Sequence, residues 1–321
     1  MKKAIALAAA ICAAWWIAPA SAGPNLPTKP IEQKYYADGA WTVAQSFTPA
    51  GCDSKGNACD IFYPANLGAN GFHHPIIVWA NGSGTTPALA TTYAYLLRHL
   101  ASWGFVVIAT RDGTTGTGQT IIDSANYIKA RNTDTGSIFY GKLDTTKIGA
   151  MGHSQGASGA INAMLKSSGA IRTAVTFHLP RQSWCNPASN CLLTSDLAAA
   201  TSGSILYVSG STDVLISPDT QIVPPGQLNS LTAYYNATPA PLLKAKGLIK
   251  GTAHNDSQGN PTCAGAAFPC SNGVHGYLGY PTAWMMWQLM GAADGHQAFA
   301  ASGGEIFTET TNWQGVASNI P

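Results

Sequence analysis

Charge is scarce in this sequence. Only 10% of its 321 residues are Asp, Glu, Lys or Arg, with 17 basic side chains against 15 acidic ones. Two of the basic residues, Lys2 and Lys3, lie in an N-terminal stretch that reads as a leader, so the remainder balances at 15 against 15. A chain without a positive excess has no electrostatic footprint for nucleic acid or an anionic membrane surface. Long hydrophobic runs are lacking too. After residue 22 no segment holds enough uninterrupted apolar residues to span a bilayer, so stable membrane insertion is not expected. Metal-type cysteine spacing is a third absence: there is no tight Cys-x-x-Cys pair and no interleaved histidine, and no metal is expected.

The leader has the parts of a secretory signal peptide. Lys2 and Lys3 precede an apolar run from Ala4 to Ile17, and Ala20-Ser21-Ala22 supplies small residues for cleavage. The run is short and breaks at Pro19, which argues against a membrane-spanning helix. Residues 1–22 are therefore assigned to the signal, and residues 23–321 to one mature domain of 299 residues (321 less 22), secreted or periplasmic. Cys12 leaves with the leader. The other six cysteines fall into close pairs, Cys52 with Cys59, Cys185 with Cys191, and Cys263 with Cys270. Several pairings are possible for six, and the local one is expected, each bridge stiffening its own short loop.

Residues 23–50 are rich in proline and polar side chains and read as an extended lead-in. Beyond them, short apolar runs recur at 75–80, 105–109, 148–151, 173–177, 205–208 and 247–250, without the strict alternation of a half-exposed strand. Runs of this kind suit strands buried on both faces. Helical spacing appears between them at 88–103, 154–168 and 281–293. Strands alternating with helices predict an α/β fold, with a mostly parallel central sheet covered by helices on both faces. Ligands then bind beyond the carboxyl ends of the strands. The interval from Phe177 to Ser204 is too short for a large lid, unless the Cys185 to Cys191 loop serves as one.

The chemistry begins at Gly152-His153-Ser154-Gln155-Gly156. A serine hydroxyl is a weak nucleophile unless it is held exposed beside a base and faces donors for the developing oxyanion. The G-x-S-x-G pattern, placed between an apolar run and a helical one, is the sharp strand-to-helix turn that presents such a serine. An acid and then a histidine should follow on later strand ends. Asp213 follows the run at 205–208 and His254 follows that at 247–250, so the expected catalytic set is Ser154, Asp213 and His254. His153, inside the turn, His178, before Asp213, and His275 and His296, beyond the last run, are the weaker candidates for the base. Asp219 is the main rival for the acid. The oxyanion donors are expected from the backbones of Gln155, after the nucleophile, and Ser83, within Asn81-Gly82-Ser83-Gly84.

One further motif needs separating from these. Residues 113–120 have the spacing of a phosphate-binding loop, but Gln119 stands where the phosphate-reaching lysine is required. They read as a flexible loop on the rim of the cleft.

The ordered motifs, Asn81-Gly82-Ser83-Gly84, Gly152-His153-Ser154-Gln155-Gly156, Ser211-Thr212-Asp213 and Thr252-Ala253-His254, resemble the α/β-hydrolase superfamily across roughly residues 70–295. The phrases Ser102-Trp103-Gly104-Phe105-Val106-Val107 and Ala283-Trp284-Met285-Met286-Trp287-Gln288-Leu289-Met290-Gly291 are more narrowly similar to secreted bacterial esterases related to cutinases, polyester hydrolases and chlorophyllase-like proteins. That resemblance implies carboxylic ester hydrolysis through an acyl-enzyme, on a small or polymeric ester, with no cofactor and no large lid. A monomer is expected. Polyester-hydrolysing relatives usually carry an aromatic residue at the position of Ser83 and Met at that of Gln155, so the cleft here differs, with His178, Trp184 and Tyr207 as expected lining and the Cys263 to Cys270 segment as a rim. The same triad would also serve an acyltransferase that passes the acyl group to an alcohol. A non-catalytic secreted binding protein on the same scaffold is the reading that an intact Ser, Asp and His disfavours.

Overall fold

A computed structural model describes residues 25–49, 51–86, 88–185, 187–220 and 228–321. The leader expected at residues 1–22 lies outside the described residues. The strands are β1 (Val43–Phe47), β2 (Cys59–Pro64), β3 (His74–Ala80), β4 (Val106–Thr110), β5 (Leu143–His153), β6 (Ile171–Phe177), β7 (Ser204–Gly210), β8 (Leu243–Ile249) and β9 (Trp313–Ser318). They form one sheet in the order β1-β2-β4-β3-β5-β6-β7-β8-β9. The six strands from β3 to β8 are parallel to one another, whereas β1, β2 and β9 pair antiparallel at the edges. This is an α/β-hydrolase fold, with the mostly parallel sheet the apolar runs predict.

Each parallel strand feeds both faces of the sheet because successive side chains point to opposite sides. In β3, Ile77 and Trp79 enter one core with Phe177, Leu206 and Trp284. Ile76 and Val78 enter the other with Ala157, Ile161, Ile205 and Tyr207. Each large apolar side chain so buried contributes about 1.5–3 kcal/mol relative to exposure. The helices are α1 (Pro30–Tyr36), α2 (Ala94–Ser102), α3 (Gln119–Arg131), α4 (Gln155–Lys166), α5 (Thr194–Ala198), α6 (Leu231–Ala237), α7 (Gly279–Met290), α8 (Ala293–Phe299) and α9 (Glu305–Thr308). No helix among the described residues is long and apolar enough to cross a membrane.

Three expectations need correction. The lead-in at 23–50 contains α1, which opens on Pro30 and buries Glu32 and Tyr35, and the edge strand β1. The helix expected over 88–103 is a single 3-10 turn at Ala90–Thr92 followed by α2, broken where Tyr93 leaves helical geometry at φ −117° and ψ 6°. Residues 113–118 are a tightly packed turn that ends as α3 begins. A Cβ on Gly116 would lie 2.2 Å from Asn190 O, and one on Gly118 would lie 2.5 Å from Ala163 N. The glycines there admit the protein's own backbone rather than a phosphate.

The three local cysteine pairs are disulfide-bonded, with Cα separations of 5.9, 5.6 and 5.9 Å for Cys52–Cys59, Cys185–Cys191 and Cys263–Cys270.

Candidate active site

The site lies at the carboxyl ends of β3, β5, β7 and β8. Ser154 joins β5 to α4 at φ 55° and ψ −127°, in the left-handed half of backbone space that a non-glycine residue rarely occupies. Its neighbours make the turn possible. A Cβ on Gly152 would fall 2.2 Å from Gly156 O, and one on Gly156 would fall 2.1 Å from Ala80 O, so side chains at either position would force strand and helix apart. The Ser154 N–H donates to Phe177 O at 2.9 Å, which ties the turn to β6.

Ser154 Oγ lies 3.0 Å from His254 Nε2, and His254 Nδ1 lies 2.6 Å from Asp213 Oδ2. Loops after β7 and β8 carry the acid and the histidine, and hydrogen bonds hold those loops to each other: Thr212 Oγ1 donates to Thr252 O at 2.6 Å and Gly251 N to Ser211 Oγ at 2.8 Å. Asp219 is elsewhere, paired with Lys246 Nζ at 2.9 Å. His275 meets Tyr36, and His296 packs edge-on against Trp287. His153 turns away from the serine, its Nε2 2.7 Å from His254 O and its Nδ1 2.8 Å from Tyr93 OH. Burial, with the neighbouring His254 and His178 rings, pushes the proton affinity of His153 well down, so it is a neutral donor to that carbonyl.

Asp213 is almost fully buried. Desolvation alone would raise its carboxyl, but the hydrogen bonds from His178 and His254 and the attraction of both rings hold it well below the usual carboxylate range. An ionised carboxylate takes an N–H from each ring, which fixes His254 with its proton on Nδ1 and a lone pair on Nε2 facing Ser154. His178, Asp213 and His254 present ligand-type atoms within 4.8 Å of one another. Both Nδ1 atoms are occupied as donors to the carboxylate, so their lone pairs are not available to a cation in this arrangement.

Ser83, Ser154 and Gln155 share one wall of a cavity of about 250 Å³, closed by Pro180, Trp184, Cys185, Asn190 and Ile216. Gln155 opens α4, where the first backbone N–H groups lack intrahelical acceptors and the helix dipole favours negative charge. Its side chain is a brace: Nε2 donates to Ser83 Oγ at 3.0 Å and Oε1 accepts from Gly116 N at 3.0 Å. Asn81 steadies the base of the same loop, accepting from Trp79 Nε1 at 3.0 Å and donating to Thr110 O at 2.5 Å.

Trp184 is on the cavity wall and half exposed, immediately before the loop closed by Cys185–Cys191. Two other expected lining residues are not there. His178 is fully buried behind Asp213, and Tyr207 is fully buried with its hydroxyl 2.7 Å from Thr238 Oγ1. Tyr207 points from β7 into one core, and His178, just after β6 at positive φ, turns its ring to Tyr277. The Cys263–Cys270 segment borders a separate groove with Gln258 and the Ser83 loop. Tyr93 was legible only as a core position. Its hydroxyl meets His153, Gly82 N at 3.2 Å and Gln258 Nε2 at 3.3 Å, joining the loops that carry Ser83, Ser154 and His254.

The family model described as PETase, PET hydrolase-like, matches residues 18–225. No match is found among curated proteins. The matched span includes Ser83, Ser154 and Asp213 and stops before His254, so the place of the histidine is carried by geometry.

Proposed function

The chain belongs to the PET hydrolase-like family, a family of ester hydrolases, and on that premise we propose that it is a secreted serine esterase acting through Ser154, His254 and Asp213. The observation that carries the reading is the continuous chain of contacts from Ser154 Oγ to His254 Nε2 at 3.0 Å and from His254 Nδ1 to Asp213 Oδ2 at 2.6 Å. Ser154 Oγ attacks the ester carbonyl while His254 takes its proton, and Asp213 stabilises the imidazolium that results. The carbonyl oxygen becomes an oxyanion held by the backbone N–H groups of Ser83 and Gln155. Collapse breaks the ester C–O bond, the alcohol leaves with the proton from His254, and the acyl group stays on Ser154. Water then gives a proton to His254 and attacks the acyl carbon; the acid departs and the proton returns to Ser154.

The cavity supports an acyl group of modest size with an apolar side, laid between Trp184, Pro180 and Ile216. The three disulfides and the N-terminal leader support an oxidising compartment outside the cytoplasm, with residues 23–321 as one domain after cleavage. Hydrolysis of nitrophenyl esters of increasing chain length, with a polyester film alongside, tests the reading. Turnover is expected to peak at short or medium chains and to vanish in Ser154→Ala; unchanged turnover in that variant would reject the nucleophile.

A further inference from the structure

Asp213 serves two imidazoles. Its Oδ2 lies 2.6 Å from His254 Nδ1 and 2.8 Å from His178 Nδ1, while its Oδ1 accepts from Ile216 N at 3.2 Å. The ester-hydrolysis reading uses only the first of these contacts. His178 follows β6 directly, at φ 55°, with its backbone N–H donated to Val208 O at 2.8 Å. Its ring is fully buried, and Nε2 lies 2.5 Å from Tyr277 OH. An uncommon backbone conformation, complete burial and a partner at each ring nitrogen all aim one N–H at the acid.

We propose that His178 is a positioning residue: a second imidazole that shares the Asp213 carboxylate with His254 and fixes where that carboxylate points. The proposal rests on Ser154, His254 and Asp213 being the reacting set. Burial lowers the proton affinity of His178, more than Asp213 restores it, so the ring is neutral and has one proton to give. That proton is on Nδ1, facing Asp213. Nε2 accepts from Tyr277, whose hydroxyl burial and the nearby Asp256 keep protonated. Among the described residues His153 also faces the cluster, with its ring centroid 4.9 Å from that of His254 and 5.8 Å from that of His178. His153 is neutral for the reason given above.

Two consequences follow from sharing one oxygen. The Asp213 charge is divided between two N–H donors, so His254 faces less than the whole of it. Without the His178 donor the full Asp213 charge faces the imidazolium that forms on His254 when it takes the serine proton. The acid limb of the rate profile therefore moves up. The freed carboxylate also has a second orientation open to it, which lowers kcat.

The test compares wild type with His178→Gly, His178→Asn, Tyr277→Phe and Ser154→Ala, using the full chain and a nitrophenyl ester across the pH range. Glycine and asparagine both accept positive φ, so the backbone is kept while the donor is removed in one and restored as an amide N–H in the other. His178→Gly is expected to move the acid limb of kcat/KM up by roughly half a unit or more and to lower kcat about tenfold, with KM little changed. His178→Asn should recover to within about threefold of wild type, and Tyr277→Phe should shift the limb in the same direction by less. A folded His178→Gly with the wild-type limb and kcat would overturn the proposal, as would His178→Asn no better than glycine. Should His178→Gly not fold, an unmoved limb in Tyr277→Phe would overturn it. Failure of the underlying reading would look different, as turnover that survives Ser154→Ala.

Discussion

Two carboxylates are buried to nearly the same degree in this protein and meet opposite fates. Asp213, at the end of β7, has donors from His178, His254 and Ile216 N, and its carboxyl is held well below the usual range. Glu32, on α1, is pushed up to about 8, because burial outweighs its one hydrogen bond from Trp313 Nε1 and because Glu309 and Glu305 lie nearby. Its Oε2 has no hydrogen-bond partner among the described residues. Burial alone therefore does not make a carboxylate a charged tool. Donors do, and the strand ends of a parallel sheet bring loops from several strands together to supply them. Glu32 on α1 meets the single donor Trp313 Nε1 and two further acids, so its carboxyl is raised.

The comparison is broken most severely at Asp213. Asp213→Asn replaces an acceptor by an amide that cannot fix the His254 tautomer, and kcat for ester hydrolysis should fall by about a thousandfold to ten-thousandfold while thermal unfolding shows a folded protein. A loss of less than about tenfold would mean that the charge at this position is not used. Glu32→Gln should leave turnover as it is.

Glu32 instead carries a signature in stability. Its folded value lies above its ordinary value of 4.5, so the folded state binds the extra proton between 4.5 and about 8. The stability Glu32 contributes is fully present below 4.5 and is lost as pH rises through about 8. The thermal midpoint of wild type should decline across that window, and Glu32→Gln should flatten the decline. Asp213 has the opposite sign: its contribution is present above the ordinary carboxylate range and is lost only as pH falls below it. A midpoint that rises with pH between 5 and 8, with the same slope in Glu32→Gln, would remove Glu32 from this contrast.

The smallest effect belongs to the cavity wall. Trp184 is half exposed on the wall of the cavity that Ser154 lines, so Trp184→Ala should raise KM by roughly threefold to tenfold with kcat nearly constant. A fall in kcat of similar size would place Trp184 closer to the reacting atoms than the cavity geometry does.

Much of the fold and of the site is legible in the sequence. Strands buried on both faces announce themselves as continuous apolar runs, and all six such runs fall in β3 to β8. The three antiparallel strands did not. β1 has a partly exposed pattern, β2 opens on a disulfide-bonded cysteine and runs into a turn, and β9 follows a string of polar residues, so none stands out by composition. The serine turn, the acid and the histidine were legible because the order along the chain and the spacing from apolar runs constrain them. The contacts of His178, Tyr93 and Tyr277 were not. Each is a buried aromatic ring with a polar atom, and sequence does not tell which of its neighbours that atom will meet until loops from distant strands are brought together.

The central claim is that Ser154 is the nucleophile, and covalent labelling tests it most directly. A fluorophosphonate should add one phosphonyl group to the folded wild-type protein, on the tryptic peptide containing Ser154, and should add none to Ser154→Ala. Labelling that persists in Ser154→Ala, or that maps to another residue in wild type, would contradict the account.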